Sequence, residues 1–333
     1  LALLWWWPPR QAAPGRWLFV AVVVAIEGIL ATGGYVSARP AAAGPTFPAS
    51  PALEAVREAA GEGRVLRFDD TPSGIADAIE LARPNLLEAY GIADLTPYVV
   101  FTPRTLIELI TAIEPSVYSP TYRTFSPGLR RVADVDHPIL DILGVTAVLA
   151  RRPLEHPRLA PVLSRPGFHV YRRSGAFPSA RIVPRAVAST SDAAALSVLH
   201  QRLLDPAAAT VLAPEHSALA GETPPPAGTE SDWRPGRIER MRRPAKNRTE
   251  VLVWGSDGGW LVIHEQFYPG WRAEVNGKEA PLLRADHACR AVRIPPGDSE
   301  IVVRYAPVSL TAGAILSGAA LALAALLTAR FRL

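Results

Sequence analysis

Between Gly258 and Tyr305, apolar and polar positions alternate in short runs broken by Gly, Pro and Asn. Leu261-Val262-Ile263 is an apolar, β-rich run leading to a turn at Tyr268-Pro269-Gly270. Trp271-Arg272-Ala273-Glu274-Val275 then alternates, which puts Trp271, Ala273 and Val275 on one face of a strand. Asn276-Gly277 follows. A type I′ turn needs φ > 0 at both central residues, so this dipeptide is a strong hairpin signal. Ala280 to Leu283 is the return strand, and Ala291-Val292-Arg293-Ile294 alternates again. Pro295-Pro296-Gly297-Asp298 breaks the chain, and Ile301 to Tyr305 forms a last strand. With Arg237 to Arg242 and Thr249 to Trp254, this spacing predicts an antiparallel, jelly-roll-like β-sandwich domain over 177–306.

Upstream the period changes. Leu53 to Ala60 reads as a short amphipathic helix ended by Gly61, and Arg104 to Ile113 carries apolar residues at i, i+3, i+4. His137 to Leu143 reads as a helix stopped by Gly144, followed by the strand Val145 to Leu149. Arg64 to Phe68, Phe168 to Arg172 and Ala180 to Val183 read as further strands. Helices alternating with strands predict an α/β domain over 50–176. Ala193 to Leu204 is a further helix, and Ala218 to Trp233 a Pro/Gly-rich exposed stretch.

Two apolar stretches remain. Residues 17–36 are apolar except for Glu27, and 308–328 are apolar and rich in small residues; each is long enough to span a bilayer. Residues 1–16, with Trp5-Trp6-Trp7, read as a cytoplasmic or interfacial segment. Signal-peptide character for the first stretch is the competing reading. Glu27 either meets protein or a polar path inside the membrane, or is wetted from one end. Arg10, Arg16, Arg330 and Arg332 flank the outer ends of both stretches and predict that the region between them is extracytoplasmic; Arg39 weakens that asymmetry. The expected fold class is an α+β membrane protein. Two transmembrane helices would flank the extracytoplasmic α/β and β-sandwich domains, multi-pass in a bacterial inner membrane with the lipid bilayer as a partner.

Composition adds little. The chain has 333 residues, 49% hydrophobic, with 33 Pro and a net charge of +4. Arg is scattered, which argues against a nucleic-acid partner. A first residue of Leu1 rather than Met reads as a fragment of a longer protein. The single cysteine, Cys289, forms no intrachain disulfide and reads as a small buried residue rather than a nucleophile.

No Walker loop, GxGxxG, HExxH or paired CxxC is present, so no cofactor and no metal are expected. His264-Glu265 and Asp286-His287 would lie at neighbouring ends of one hairpin system. They read as a polar loop cluster or as the makings of a metal or acid/base site, neighbouring strand side chains pointing to opposite faces. Asp69-Asp70 and Asp134-x-Asp136-His137 are further acidic candidates; Asp136-His137-Pro138 reads more simply as a helix N-cap region. Trp254, Trp260, Tyr268 and Trp271 read as core or as platforms for sugar rings. Pro269, Gly270 and Trp271 form a structural corner, with Trp271 turned inward. Sugar or polymer contacts would then fall to Trp260, Tyr268, His264, Glu265, Asp286 and His287.

The run from Phe267 to Pro307 contains YPGW, the Asn276-Gly277 turn, the stretch Arg284-Ala285-Asp286-His287-Ala288-Cys289-Arg290-Ala291 and a Pro-x-Gly turn, in that order. It resembles the C-terminal end of the YfhO family of bacterial membrane proteins, a polytopic group similar to lipid-linked-sugar glycosyltransferases of the GT-C type. The resemblance extends more weakly through Asn85 to Ile92 and Leu140 to Val145. It implies a role in cell-envelope polymer or glycolipid glycosylation, with a lipid-linked sugar or envelope polymer as partner. It does not supply the family's preceding helices or its catalytic carboxylate, so this portion is expected to be non-catalytic. The alternative is a membrane-anchored binding or structural module without enzyme activity.

Overall fold

The computed structural model describes residues 50–68, 86–95, 102–119, 124–125, 128–222 and 232–330. The expected first span, Glu27 and Asp69-Asp70 lie outside them. Residues 49–333 form one compact unit.

Helix α1 (Pro51–Ala60) opens where Ser50 caps it, its Oγ accepting from Leu53 N at 3.2 Å, with Pro51 in the first turn. Leu53, Val56, Ala59 and Ala60 turn inward, and Gly61, at φ +53°, ends the helix. Strand β1 (Arg64–Phe68), α2 (Leu86–Ala89), β2 (Ala93–Asp94) and α3 (Arg104–Ile113) follow. A small pair, β3 (Tyr118–Ser119) and β4 (Thr124–Phe125), precedes α4 (Pro138–Ile142). His137, within the expected cap region, caps α4, its Nδ1 accepting from Ile139 N. Strands β5 (Val145–Ala150), β6 (Leu159–Arg165) and β7 (Phe168–Arg173) complete a five-stranded sheet of order β2-β1-β5-β7-β6. Its β2, β1 and β5 run parallel, and β7 and β6 antiparallel.

Strands β8 (Ala180–Val183) and β9 (Arg185–Ala188), helix α5 (Asp192–His200) and β10 (Ala209–Leu212) come next. Then follow β11 (Arg237–Ala245), β12 (Arg248–Ser256), β13 (Gly259–Ile263), β14 (Trp271–Val275), β15 (Lys278–Ala280), β16 (Leu282–Ala285), β17 (Cys289–Ile294) and β18 (Gly297–Tyr305). They make a six-stranded sheet, β8-β13-β17-β16-β10-β9, and a five-stranded sheet, β11-β12-β18-β14-β15. These two sheets pack face to face. Leu261, Ile263, Val292 and Ile294 of the six-stranded sheet meet Val251, Val253, Val275, Ile301 and Val303 of the other. One pairing, β9 with β10, is parallel. Asn276 and Gly277 take φ +50° and +74° between the paired Val275 and Lys278, the expected tight turn.

The expected boundary between 176 and 177 crosses a continuous core. Trp260, Val262, Leu283 and Leu212 pack in one buried cluster with Leu66, Val148, Leu109 and Ile139. Strand β13 is therefore buried on both faces, Trp260 and Val262 on one and Leu261 and Ile263 on the other. An unbroken apolar run is the pattern such a strand requires.

The membrane expectation is corrected. Among the described residues no helix is long and apolar enough to cross a membrane. Helix α6 (Val308–Arg330) occupies the expected second span. The two-span membrane class and the inner-membrane location give way to a mixed α/β fold, mostly strands, built on several sheets.

Candidate functional site

The sandwich and the five-stranded α/β sheet bring polar side chains together around the end of β13. Ile263 pairs with Ala180 and Arg290, so His264 leaves the strand beside β8 and β17. His264 N donates to Ser179 O at 2.9 Å, and Arg64 Nη2 donates to His264 O at 2.9 Å. The Arg181 guanidinium contacts His264 Nε2 through Nη1 and the Asp286 carboxylate through Nη2. Asp286 Oδ1 also accepts from Thr210 Oγ1 at 2.8 Å and from Val211 N at 3.1 Å. Arg181, His264 and Asp286 are all buried. A buried guanidinium costs several kcal/mol unless paired, and this one is paired on two sides.

The local backbone is unusual here. Asp286 and His287, in the turn between β16 and β17, have φ of +45° and +67°. Non-glycine residues adopt that region at a cost on the order of 1–2 kcal/mol each. Asp tolerates it better than most, and the carboxylate's three partners hold it there.

The expected polar dipeptides thus meet only in part. His264 and Asp286 join through Arg181. Glu265 turns the other way, accepting from Arg243 Nε at 2.6 Å, Arg290 Nη1 at 2.8 Å and Thr249 Oγ1 at 3.3 Å. His287 Nε2 instead lies 2.7 Å from Glu108 Oε2. Each pair of neighbours thus parts, and among the described residues no group of His, Cys, Asp and Glu could hold a metal ion.

Titration follows from these contacts. Burial, then the Arg181 and Arg64 charges, push His264 well below the usual imidazole range. With Nε2 facing a guanidinium donor, the ring is neutral and its lone pair is engaged. It is not poised to move a proton. Burial, then Asp286, push the Cys289 thiol up to about 12, so it stays protonated and inert.

Beside this network opens a cleft of about 690 Å³. Its walls include Gly63, Arg64, Thr146, Phe177, Arg243 and Glu265. Gly63 is required by space: a Cβ there would sit 2.1 Å from Thr146 Oγ1. Phe177 presents a half-buried ring whose edge meets His264, with centroids 5.8 Å apart. At the rim, Arg172 Nη2 donates to Glu58 Oε1 at 3.0 Å. Of the expected contact residues, His264 and Glu265 line this cleft.

The aromatic group expected from the sequence separates. Trp260 is 2% exposed in the core and Trp254 is 51% exposed on β12. Tyr268 and Trp271 do meet, joined by Tyr305, with centroid distances of 5.3 to 5.9 Å. Trp271 faces inward with Ala273 and Val275, and Arg290 lies 3.5 Å over its ring. Gly270 makes the corner possible: at φ +105°, its absent Cβ would fall 2.8 Å from the Tyr305 ring. Pro269 precedes it, exposed.

Sequence reasoning missed Arg181, Arg64, Thr210, Phe177 and Arg243. One signal was available: Arg181 interrupts the otherwise apolar strand Ala180 to Val183, and a charge inside a buried strand must have a partner. No family model matches this chain, and no curated protein and no solved structure is found similar to it, so the resemblance to the YfhO family rests on its own motif residues.

Proposed function

We propose that this chain is a non-catalytic, sugar-holding part of a larger glycosylation protein, related through its C-terminal motif to YfhO-type glycosyltransferase-like proteins. The cleft beside β13 would be its seat for a neutral oligosaccharide. One observation carries the reading: guanidinium and carboxylate stand paired at two places on the cleft's walls, Glu265 with Arg243 and Glu58 with Arg172. A sugar hydroxyl is at once a donor and an acceptor. Guanidinium and carboxylate side by side offer both roles without net charge, and the Phe177 ring adds an apolar edge for a pyranose face. The groups that could do chemistry are engaged: His264 by Arg181, Asp286 by Arg181, Thr210 and Val211, and Glu265 by three donors. Such pairing favours holding a ligand over transforming it.

Calorimetric titration of the full chain with maltohexaose, cellohexaose and mannohexaose tests this. At least one is expected to bind, with affinity falling about tenfold in Phe177→Ala and in Glu265→Gln, which keeps the shape and removes the charge. Absence of binding by all three, or binding untouched by both substitutions, refutes the cleft as a sugar seat.

A further inference from the structure

The outer face of the β11-β12-β18-β14-β15 sheet carries a second arrangement, away from the cleft. On β12 the inward residues are Thr249, Val251 and Val253; Arg248, Leu252 and Trp254 lie on the other side and Trp254 is 51% exposed. Strand β11 pairs antiparallel with β12, setting Arg237 opposite Trp254, Arg240 opposite Leu252 and Arg242 opposite Glu250. Directly opposed residues of an antiparallel pair share a face. A row of three arginines therefore runs along β11 beside the exposed indole and Leu252.

The indole's position is built. Between the pairs Val253–Ser299 and Ser256–Gly297 the register slips, so Trp254 and Gly255 together face Asp298. Gly255 takes φ +62° in this bulge, and its N–H donates to Asp298 Oδ1 at 2.8 Å. From the other side Gly236 approaches so closely that a Cβ would sit 2.5 Å from Trp254 O. Bulges re-aim side chains, and this one is braced on both sides.

Charges on an edge strand guard against edge-to-edge pairing, but either sign, mixed, would serve that purpose. Here arginines outnumber the single Glu239 on the strand, while Glu300 and Asp298 of β18 lie opposite Leu252 and Trp254. Arg237 and Arg242 are partly offset by Glu239 and Glu250, while Arg240 is exposed and has no ion-pair partner among the described residues.

We propose that this face binds an acidic polysaccharide, a uronic-acid chain whose ring stacks on Trp254 while its carboxylates meet Arg240 and Arg237. The chemistry fits both halves of the site. An exposed indole offers an apolar platform to a sugar face, and the guanidinium fork takes a carboxylate bidentately. Successive uronates would run along β11 toward Arg242. This surface does not depend on the cleft, and its occupant differs from the cleft's in charge.

Affinity electrophoresis of the full chain through gels containing polygalacturonate tests the proposal, with neutral dextran and oligo(dT) as parallel probes. Retardation by polygalacturonate, and not by dextran, is expected. Trp254→Ala and Arg240→Ala should each weaken it about tenfold, while Phe177→Ala in the cleft leaves it unchanged. Both side chains are exposed, so the variants should melt with the parent; should Trp254→Ala fail to fold, Arg240→Ala decides. Four results overturn the inference: no retardation by polygalacturonate, equal retardation by dextran, indifference to the substitutions, or oligo(dT) binding with the same dependence on Trp254, which would make the face a nucleic-acid platform.

Discussion

Asp286→Asn is the sharpest test of the buried network. The substitution keeps the side chain's shape and its tolerance of φ +45°, so it isolates the charge. The amide oxygen can still accept from Thr210 and Val211. The amide nitrogen, however, would point a donor at the Arg181 guanidinium, whose side chain is 6% exposed against 0% for the aspartate. Arg181 keeps a neutral histidine and the Pro206 carbonyl as partners and loses its counter-charge. Removing one member of a buried pair costs about 3–5 kcal/mol, a large share of the roughly 5–15 kcal/mol that stabilises a domain. Asp286→Ala should cost more still, because alanine resists the left-handed region and leaves the Thr210 hydroxyl and Val211 N–H without their acceptor. In Arg181→Met/Asp286→Asn the loss should be smaller than the sum of the single losses, since no unpaired charge remains buried. Urea unfolding of the full chain, followed by circular dichroism, gives each value from the midpoint and slope. An Asp286→Asn protein within about 1 kcal/mol of the parent would refute the claim that this ion pair holds the β16–β17 turn.

Three other outcomes are expected. Gly277→Val should destabilise by about 1–3 kcal/mol through backbone strain alone, since open space surrounds the new side chain; an unchanged melting temperature would sink the hairpin assignment. Trp271→Ala should cost about 3 kcal/mol, removing an inward ring and the surface on which Arg290 lies, whereas Tyr268→Ala, at a 39% exposed position, should cost under about 1 kcal/mol in the same melts. Burial, then His200, lower His137 to about 4 from the ordinary 6.5. The unfolded chain then binds more protons there than the folded one, so stability is full above pH 6.5 and falls as pH drops toward 4. His137→Asn, which keeps a capping side chain on α4, should flatten that slope in a pH series of melting temperatures, and an unaltered slope would contradict the assignment.

Much of the local structure was legible from residue order. The Asn276-Gly277 turn, the inward face of Trp271, Ala273 and Val275, the stop of α1 at Gly61 and the cap ahead of α4 all follow from preferences acting within a few residues. The alternation of β14 and β17 was legible too, being periodic. Within the Asp136-His137-Pro138 region it is His137 that caps, because its Nδ1 reaches Ile139 N.

What the tertiary structure decided are the partners. His264 and Asp286 were visible as polar residues near one hairpin, yet the arginine that joins them comes from Arg181, a strand far away in sequence, and no local pattern encodes which strand lies alongside. Trp260 and Trp254 sit six residues apart and look alike in the sequence; sheet packing on both faces buries the first, and a bulge turns the second to solvent. The stretch after Tyr305 is apolar by composition, and among the described residues no helix is long and apolar enough to cross a membrane. Period and turn chemistry belong to the chain itself, whereas burial, ion pairing and the cleft belong to contacts between distant segments, which exist only once the sheets have packed.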